Sequence, residues 1–378
     1  VFQDLLDRLE MEPAYDVDYD HALTLWWLGR CLEAQGRPAQ AIDFHRQALA
    51  GFEALSETSE SAKKMASTVH TDLGDVFQAI GQFDQAQAAY EEGLRTAREL
   101  DDHRGVGVSL GQLGTLALLR GDLAQARRRH TEALETFRAL GEPQTEAVFW
   151  HQLGMVAQEA KDWDEAERCY RESLKLEEQM NNPKGVAETC NQLAIVAEGA
   201  GRPTDAERWC LRAIELDEQL GNPKEVAIDY NNLASLYLSQ GRLDEAETYA
   251  RRAVAIKETL DLSAEPWTTY AILAQIAEAR GRAGEAARWR RKEQASYSAY
   301  AGAAHEVREW MPVIQDVVAA CEGNAQAAKE AKTQLQAFEE GWPTTVTAVR
   351  QVLTGERDIE ALRGDLTRKG YVVVHTIL

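Results

Sequence analysis

One motif recurs every 40 residues along this chain, and that period limits the possible fold more than any other feature. Gly36, Gly81, Gly121, Lys161, Gly201, Gly241 and Gly281 align as one position, spaced 45 residues once and 40 residues five times. Eight residues before each stands a leucine: Leu28, Leu73, Leu113, Leu153, Leu193, Leu233 and Leu273. The residue after each leucine is small: Gly29, Gly74, Gly114, Gly154, Ala194, Ala234 and Ala274. Five residues after the aligned position there is always an alanine: Ala41, Ala86, Ala126, Ala166, Ala206, Ala246 and Ala286. A fixed period of this length is the signature of a solenoid, in which each unit packs on its neighbours.

Each matched position has a physical meaning. A small residue after the leucine, and an alanine five residues past the turn, let two helices approach to roughly 8–10 Å. The glycine supplies a positive φ at a tight connection. Lys161 at the same position costs about 1 kcal/mol. Asn182-Pro183 and Asn222-Pro223 read as an N-cap followed by a proline at the first helical position, and Glu142-Pro143 occupies the same frame. Each unit is thus helix, turn, helix, with roughly 17 residues per helix. His45 and His130 fall nine residues after a turn, where Tyr90 and Tyr170 stand in other units. They read as packing residues.

The leucine–small residue step, the turn glycine and the alanine resemble the tetratricopeptide repeat in a lengthened form. "YNNLASLYLSQGRLDEAETYARRAVAI" is similar to the repeats of kinesin light chains and of bacterial multidomain regulators. The resemblance covers about residues 20–300. It implies an all-α fold: a right-handed superhelical solenoid of seven hairpins over residues 20–301, with a lead-in helix over 1–19 and a small helical tail over 302–378. Repeats of this kind bind many different partners, so the likeness itself names none.

The pattern bends in three places. The surplus of the first interval lies around "ALSETSESAKK", residues 54–64, as a longer loop or extended helix ends. The seventh unit turns basic in "RWRRKEQASYSAYAGA" and places Glu293 where a small residue is usual, which reads as a transition to a cap. In the tail, Val307, Trp310, Ile314, Val317 and Cys321 recur at helical spacing. "AQAAKEAKTQLQAFEE", "PTTVTAVRQVLTG" and "DIEALRGDLTRKG" read as further helices, and "YVVVHTIL" reads as helix because nothing nearby could pair with it as a strand.

A net charge of −21 argues against nucleic acid or an anionic membrane surface as partner. No stretch approaches the roughly 18 apolar residues of a membrane-spanning helix, and no signal peptide is visible. Five cysteines form no C-x-x-C pair, which points to reduced, buried packing residues in a cytoplasmic setting. Phosphate loops, dinucleotide fingerprints, metalloprotease and esterase motifs are absent from the sequence, as is cysteine–histidine metal spacing. The expectation is a protein without catalysis, cofactor or metal. Val1 stands where an initiator methionine would, so the chain reads as a processed or excised piece of something longer.

The resemblance implies that the first helix of each hairpin lines a concave face. Nine residues before the turn it presents Trp27, Asp72, Gln112, Gln152, Gln192, Asn232 and Ile272. Four consecutive units therefore carry a carboxamide at one height, with Asn191, Asn231 and His151 one residue earlier. A carboxamide offers a donor and an acceptor together, so it can pair with the backbone of an extended peptide whatever its sequence. Kinesin-light-chain-like repeats use an asparagine there in this way; Asn191, Asn231 and Asn232 match it, and the glutamines are longer substitutes. Such amides could equally bond neighbouring helices. Glu33, Asp72, Asp75, Glu159, Glu188, Glu198 and Glu278 make the implied face acidic against Arg30 alone, which favours a neutral or basic segment. The expected site is therefore Gln112, Gln152, Gln192, Asn232, Asn191, Asn231, His151, Glu188, Glu198, Asp72 and Asp75. The function read from it is a scaffold holding a protein segment. The alternative is the sensor arm of a nucleotide-switch regulator whose switch lies upstream, and a third reading is a self-associating array.

Overall fold

The computed structural model describes residues 17–260, 264–299, 310–321, 323–339, 341–362, 366 and 368–378, and among them every regular element is helical. The lead-in expected over 1–19 lies almost wholly outside the described residues. Hairpins follow in chain order. They are α1 (Val17–Ala34) with α2 (Pro38–Leu55), α3 (Glu60–Ala79) with α4 (Phe83–Glu99), and α5 (His103–Leu119) with α6 (Leu123–Leu140). Next come α7 (Pro143–Glu159) with α8 (Trp163–Gln179), and α9 (Pro183–Gly199) with α10 (Pro203–Leu220). The last two are α11 (Pro223–Ser239) with α12 (Leu243–Lys257), and α13 (Pro266–Ala279) with α14 (Ala283–Ala299). Two compact units divide the chain, one up to Ala206 and one from Glu207 onward.

The turn chemistry is as the sequence requires. Gly121 has φ +78°, its N–H donates to Leu118 O at 2.9 Å, and Asp122 N–H reaches back to Ala117 O at 2.9 Å. That pair of bonds closes the helix with a left-handed residue. Lys161 takes the same conformation at φ 56°. A second left-handed position, between hairpins, was not legible from the glycine frame: Asp101, Gly141, Asn181 and Gly221, two of them the polar residues that tolerate it. Asn182 Oδ1 caps α9 by accepting from Gly185 N–H at 3.3 Å. Asn222 sits at the equivalent place, but its side chain makes no cap bond, contrary to expectation. The 45-residue interval is taken up by a loop over 56–59 and by α3, which is 20 residues long where α5 has 17.

The small residue after each leucine has a specific cause. A Cβ on Gly29 would lie 2.5 Å from the His45 ring, on Gly114 2.7 Å from His130 and on Gly154 2.7 Å from Tyr170, and one on Gly74 would strike the Tyr90 ring. In the first four hairpins a ring nine residues past the turn thus lies flat on the glycine. In the later ones the glycine becomes alanine, and Cys210, Ala250 or Arg290 stands at the ring position. His45 and His130 are completely buried, as packing residues should be. The alanine five residues past the turn is fully buried in six units and 5% exposed in the seventh. Cys169, Cys190 and Cys210 are buried, whereas Cys31 is half-buried and Cys321 exposed, so two cysteines depart from the packing reading.

Neighbouring hairpins are also tied by ion pairs. Arg202 reaches Glu167 at 2.5 Å, Arg242 reaches Glu207 at 2.6 Å, and Arg120 reaches Asp84 at 2.6 Å. In the second unit the tail packs on the last hairpin. Trp267 of α13 and Tyr297 of α14 share a core with Trp310, with Val313 and Val317 of α15 (Met311–Cys321), and with Leu335 of α16 (Ala325–Leu335). Val346 and Val349 of α17 (Pro343–Leu353), Leu362 of α18 (Ile359–Leu362) and Val373 of α19 (Arg368–Ile377) complete it. The segment "YVVVHTIL" is helical, as its lack of a pairing strand predicts. "DIEALRGDLTRKG" contributes only the short α18 and the start of α19, with residues 363–365 and 367 outside the description.

Candidate functional site

In the first unit, α1 touches α3, α3 touches α5, and α5 touches α7. No second helix of that unit meets the next second helix to the same extent. A stack held closer on one side curves toward that side, so the first helices line its concave face. Each is a helix with a wide apolar stripe for its own hairpin, which leaves a narrow strip of positions for the groove.

The acidic and amide residues of hairpins one to three converge. Trp26 Nε1 donates to Asp72 Oδ2 at 2.5 Å, and Tyr90 Oη donates to Asp75 Oδ1 at 2.7 Å. Gln112 Nε2 donates to the same Asp75 oxygen at 2.9 Å, linking α5 to α3. Burial pushes Asp75 up to about 6, helped by the charges of Asp72 and Glu33 and opposed by Tyr90 and Arg30. Asp72 is raised for the same first reason. Glu33 hydrogen-bonds the His45 ring beneath them. Asp72, Asp75 and Gln112 line a cleft of ≈300 Å³ between α3 and α5, together with Thr71, Lys64 and Arg104.

Further along the same unit the groove is different. Gln152 on α7 and Gln192 on α9 are half-buried, and their amides have no hydrogen-bond partner among the described residues. Val148 and Ile195 stand beside them at 48% and 44% exposure, high for branched aliphatic side chains. His151 packs edge-on against Tyr170 with ring centres 5.1 Å apart, and burial lowers its pKa. Asn191 is half-buried beside Gln192 on α9. Glu188 and Glu198 are exposed, and Glu188 pairs with Lys184 at 3.6 Å. In the second unit Asn231 Oδ1 accepts from Thr269 Oγ1 at 2.8 Å, whereas Asn232 is half-buried with no bonded partner among the described residues.

The two roles open to the amides are therefore divided. Gln112 and Asn231 hold neighbouring helices, while Gln152, Gln192 and Asn232 keep their donors and acceptors open. The sequence reading overlooked a basic edge. Lys64, Arg104, Lys184 and Lys224 all stand seventeen residues before a turn, about two helical turns ahead of the amide row. Lys64 and Arg104 each bind the acid that begins a later helix, Asp102 at 3.1 Å and Glu142 at 3.1 Å. Trp27, which heads the row nine residues before the turn but is outside the expected site, is 47% exposed, and the Arg30 guanidinium lies 5.7 Å from its ring centre.

Four tetratricopeptide-repeat family models match the chain: the MalT-like TPR region over residues 34–220, and others over 9–55, 185–259 and 267–292. No curated protein matches by sequence. Among solved structures, BtubC from P. vanneervenii is similar at 24% identity and TM-score 0.52, over 57% of this chain and 91% of that one. A STAND protein with a tetratricopeptide-repeat sensor from Pyrococcus horikoshii is similar at 15% identity and TM-score 0.62, over 77% of this chain and 43% of that one. A Rap protein complexed with Competence and Sporulation Factor is similar at 16% identity and TM-score 0.50, over 78% and 79% of the two chains. At these identities the likenesses speak for the fold. With its period of 40 residues, its left-handed hairpin turns and four matching family models, the chain belongs to the tetratricopeptide-repeat proteins.

Proposed function

We propose that the concave face of the first unit binds an extended peptide segment, held through its backbone by Gln152 and Gln192. Repeats of this family serve as protein-interaction scaffolds and typically carry no catalysis. The observation that carries the reading is the pair of open amides, one unit apart, flanked by exposed Val148 and Ile195. An amide that stiffens the stack is satisfied by the stack, as Gln112 and Asn231 are. One left half-buried without a partner is in place for a group that arrives later, since burying it unpaired would cost about 1–3 kcal/mol. Apolar neighbours then take alternate side chains of an extended segment. Asn232 offers the same chemistry in the second unit. The floor near Asp72 and Asp75 is acidic, so a neutral or basic segment suits it, with nucleic acid and anionic membrane disfavoured by the overall charge of −21. No helix among the described residues is long and apolar enough to cross a membrane, and the setting we infer is cytoplasmic.

The test is selection of binders from a random ten-residue peptide library on the purified chain, followed by titration against Gln152→Ala, Gln192→Ala and the double variant. Each single change should weaken binding roughly fivefold, the net worth of about 1 kcal/mol per hydrogen bond. Alanine suits a helix interior, so melting temperature should hold. Binders that are unaffected by the double variant would remove the groove from the account.

A further inference from the structure

The cleft between α3 and α5 has a feature that the stack does not use. Among the described residues, Asp72 accepts one side-chain hydrogen bond, on Oδ2 from Trp26, and Asp75 accepts two, both on Oδ1, from Tyr90 and Gln112. Asp72 Oδ1 and Asp75 Oδ2 have no donor among the described residues, and neither is sealed from solvent. The other charges lining the cleft are already matched: Lys64 with Asp102 and Arg104 with Glu142. Arg30 lies over the rings of Trp26 and Trp27, at 5.3 and 5.7 Å from their centres. Two anchored carboxylates, each with one open oxygen, thus line one cleft of ≈300 Å³. That volume is at the bottom of the range for small-ligand pockets, about 300–1,000 Å³, and admits one long side chain better than a whole ligand.

We propose that this cleft is the pocket for one basic side chain, arginine or lysine, of the segment bound along the groove. The inference rests on the groove reading given above and assigns the segment its charged anchor. Trp26, Tyr90 and Gln112 fix both carboxylates before a ligand arrives, so little ordering remains to be done on binding. A guanidinium or ammonium supplies the donors that the two open oxygens lack, and bonds between charged partners in a partly buried site are about twice as strong as neutral ones. Burial raises both Asp72 and Asp75, so a cation that reached them would draw both toward the charged form.

The probe is N-acetyl-arginine amide, with N-acetyl-lysine amide and the uncharged N-acetyl-citrulline amide beside it, titrated into the ¹⁵N-labelled chain. The indole N–H of Trp26 reports directly, because it donates to Asp72. Arginine or lysine amide should move that resonance saturably, and citrulline amide should not. Asp72→Asn and Asp75→Asn should each weaken the arginine probe about tenfold, the scale of one charged hydrogen bond, while Glu135→Gln on the exposed side of α6 leaves it unchanged. No saturable shift with either cation, or equal shifts with citrulline, overturns the pocket. The outcomes separate from those of the groove itself. Library peptides that need Gln152 and Gln192 but ignore Asp72→Asn and Asp75→Asn would keep the groove and remove the pocket. An arginine probe that binds where no library peptide does would keep the pocket and remove the groove.

Discussion

Substituting Gly154 by alanine should destabilise the fourth hairpin, although alanine is the better helix former by about 1 kcal/mol. The added Cβ would lie 2.7, 2.8 and 2.8 Å from Tyr170 Cε1, Cδ1 and Cζ. Such contacts force something to move, and the ring has little room: it is fully buried, its hydroxyl donates to Gln158 at 3.2 Å, and His151 lies edge-on against it. Overpacking of this kind costs about 1–3 kcal/mol, so the net effect is a loss of up to about 2 kcal/mol. The same change made in a Tyr170→Ala background has nothing to strike. There it should stabilise by about 1 kcal/mol, although Tyr170→Ala itself costs several kcal/mol as a large-to-small core change. Hairpins five and six already carry the relaxed combination, Ala194 with Cys210 and Ala234 with Ala250. Urea unfolding followed by far-ultraviolet circular dichroism gives the cycle, with amide exchange in α7 and α8 as the local readout, because a stack opens unit by unit. A midpoint that rises with Gly154→Ala in both backgrounds would refute the ring-on-glycine account.

Three further outcomes follow from the same structure. Lys161→Gly should stabilise by about 1 kcal/mol, read from the urea midpoint, because Lys161 is held at φ 56°. His130→Phe should remove an acid-linked loss of stability. Burial lowers His130 to about 4 from 6.5, so the folded state resists protonation; its contribution is complete above pH 6.5 and is lost on acidification toward 4, at most about 3 kcal/mol. Asp75, raised to about 6, has the opposite slope, so melting curves of wild type and variant must be compared at matched pH across that window. Ala246→Trp, at a fully buried contact, should cost at least about 1–3 kcal/mol in thermal melting and spread damage to its neighbours.

Much of this fold was written in single residues. The turn glycines, the leucines and the buried alanines mark hairpin geometry directly, because a positive φ and a close helix approach each admit few residue types. The reason for Gly29 and Gly74 was half visible: the small residue was plain, but the ring that demands it stands sixteen residues later, and only packing joins the two. The site was less legible. Gln112 and Gln152 share a register and a residue type, yet one is spent on Asp75 and the other is open, since the difference lies in the Asp75 of a neighbouring hairpin. Lys64 and Arg104 escaped because they sit seventeen residues before the turn, about two helical turns ahead of the amide row that drew attention. Asn222 failed as a cap although Asn182, in the same frame, succeeds; nothing in the structure explains that difference.

The central claim is that Gln152 and Gln192 pair with the backbone of a bound segment, and backbone editing tests it most directly. A library-selected peptide is resynthesised with single amide-to-ester replacements, which remove one N–H at a time and keep every side chain. Affinities are then measured for wild type and for Gln152→Ala/Gln192→Ala. The account predicts that esters at one or two positions weaken binding to wild type about fivefold and have no further effect on the double variant. Ester losses of equal size against both proteins would contradict it, and would leave the open amides without a part in recognition.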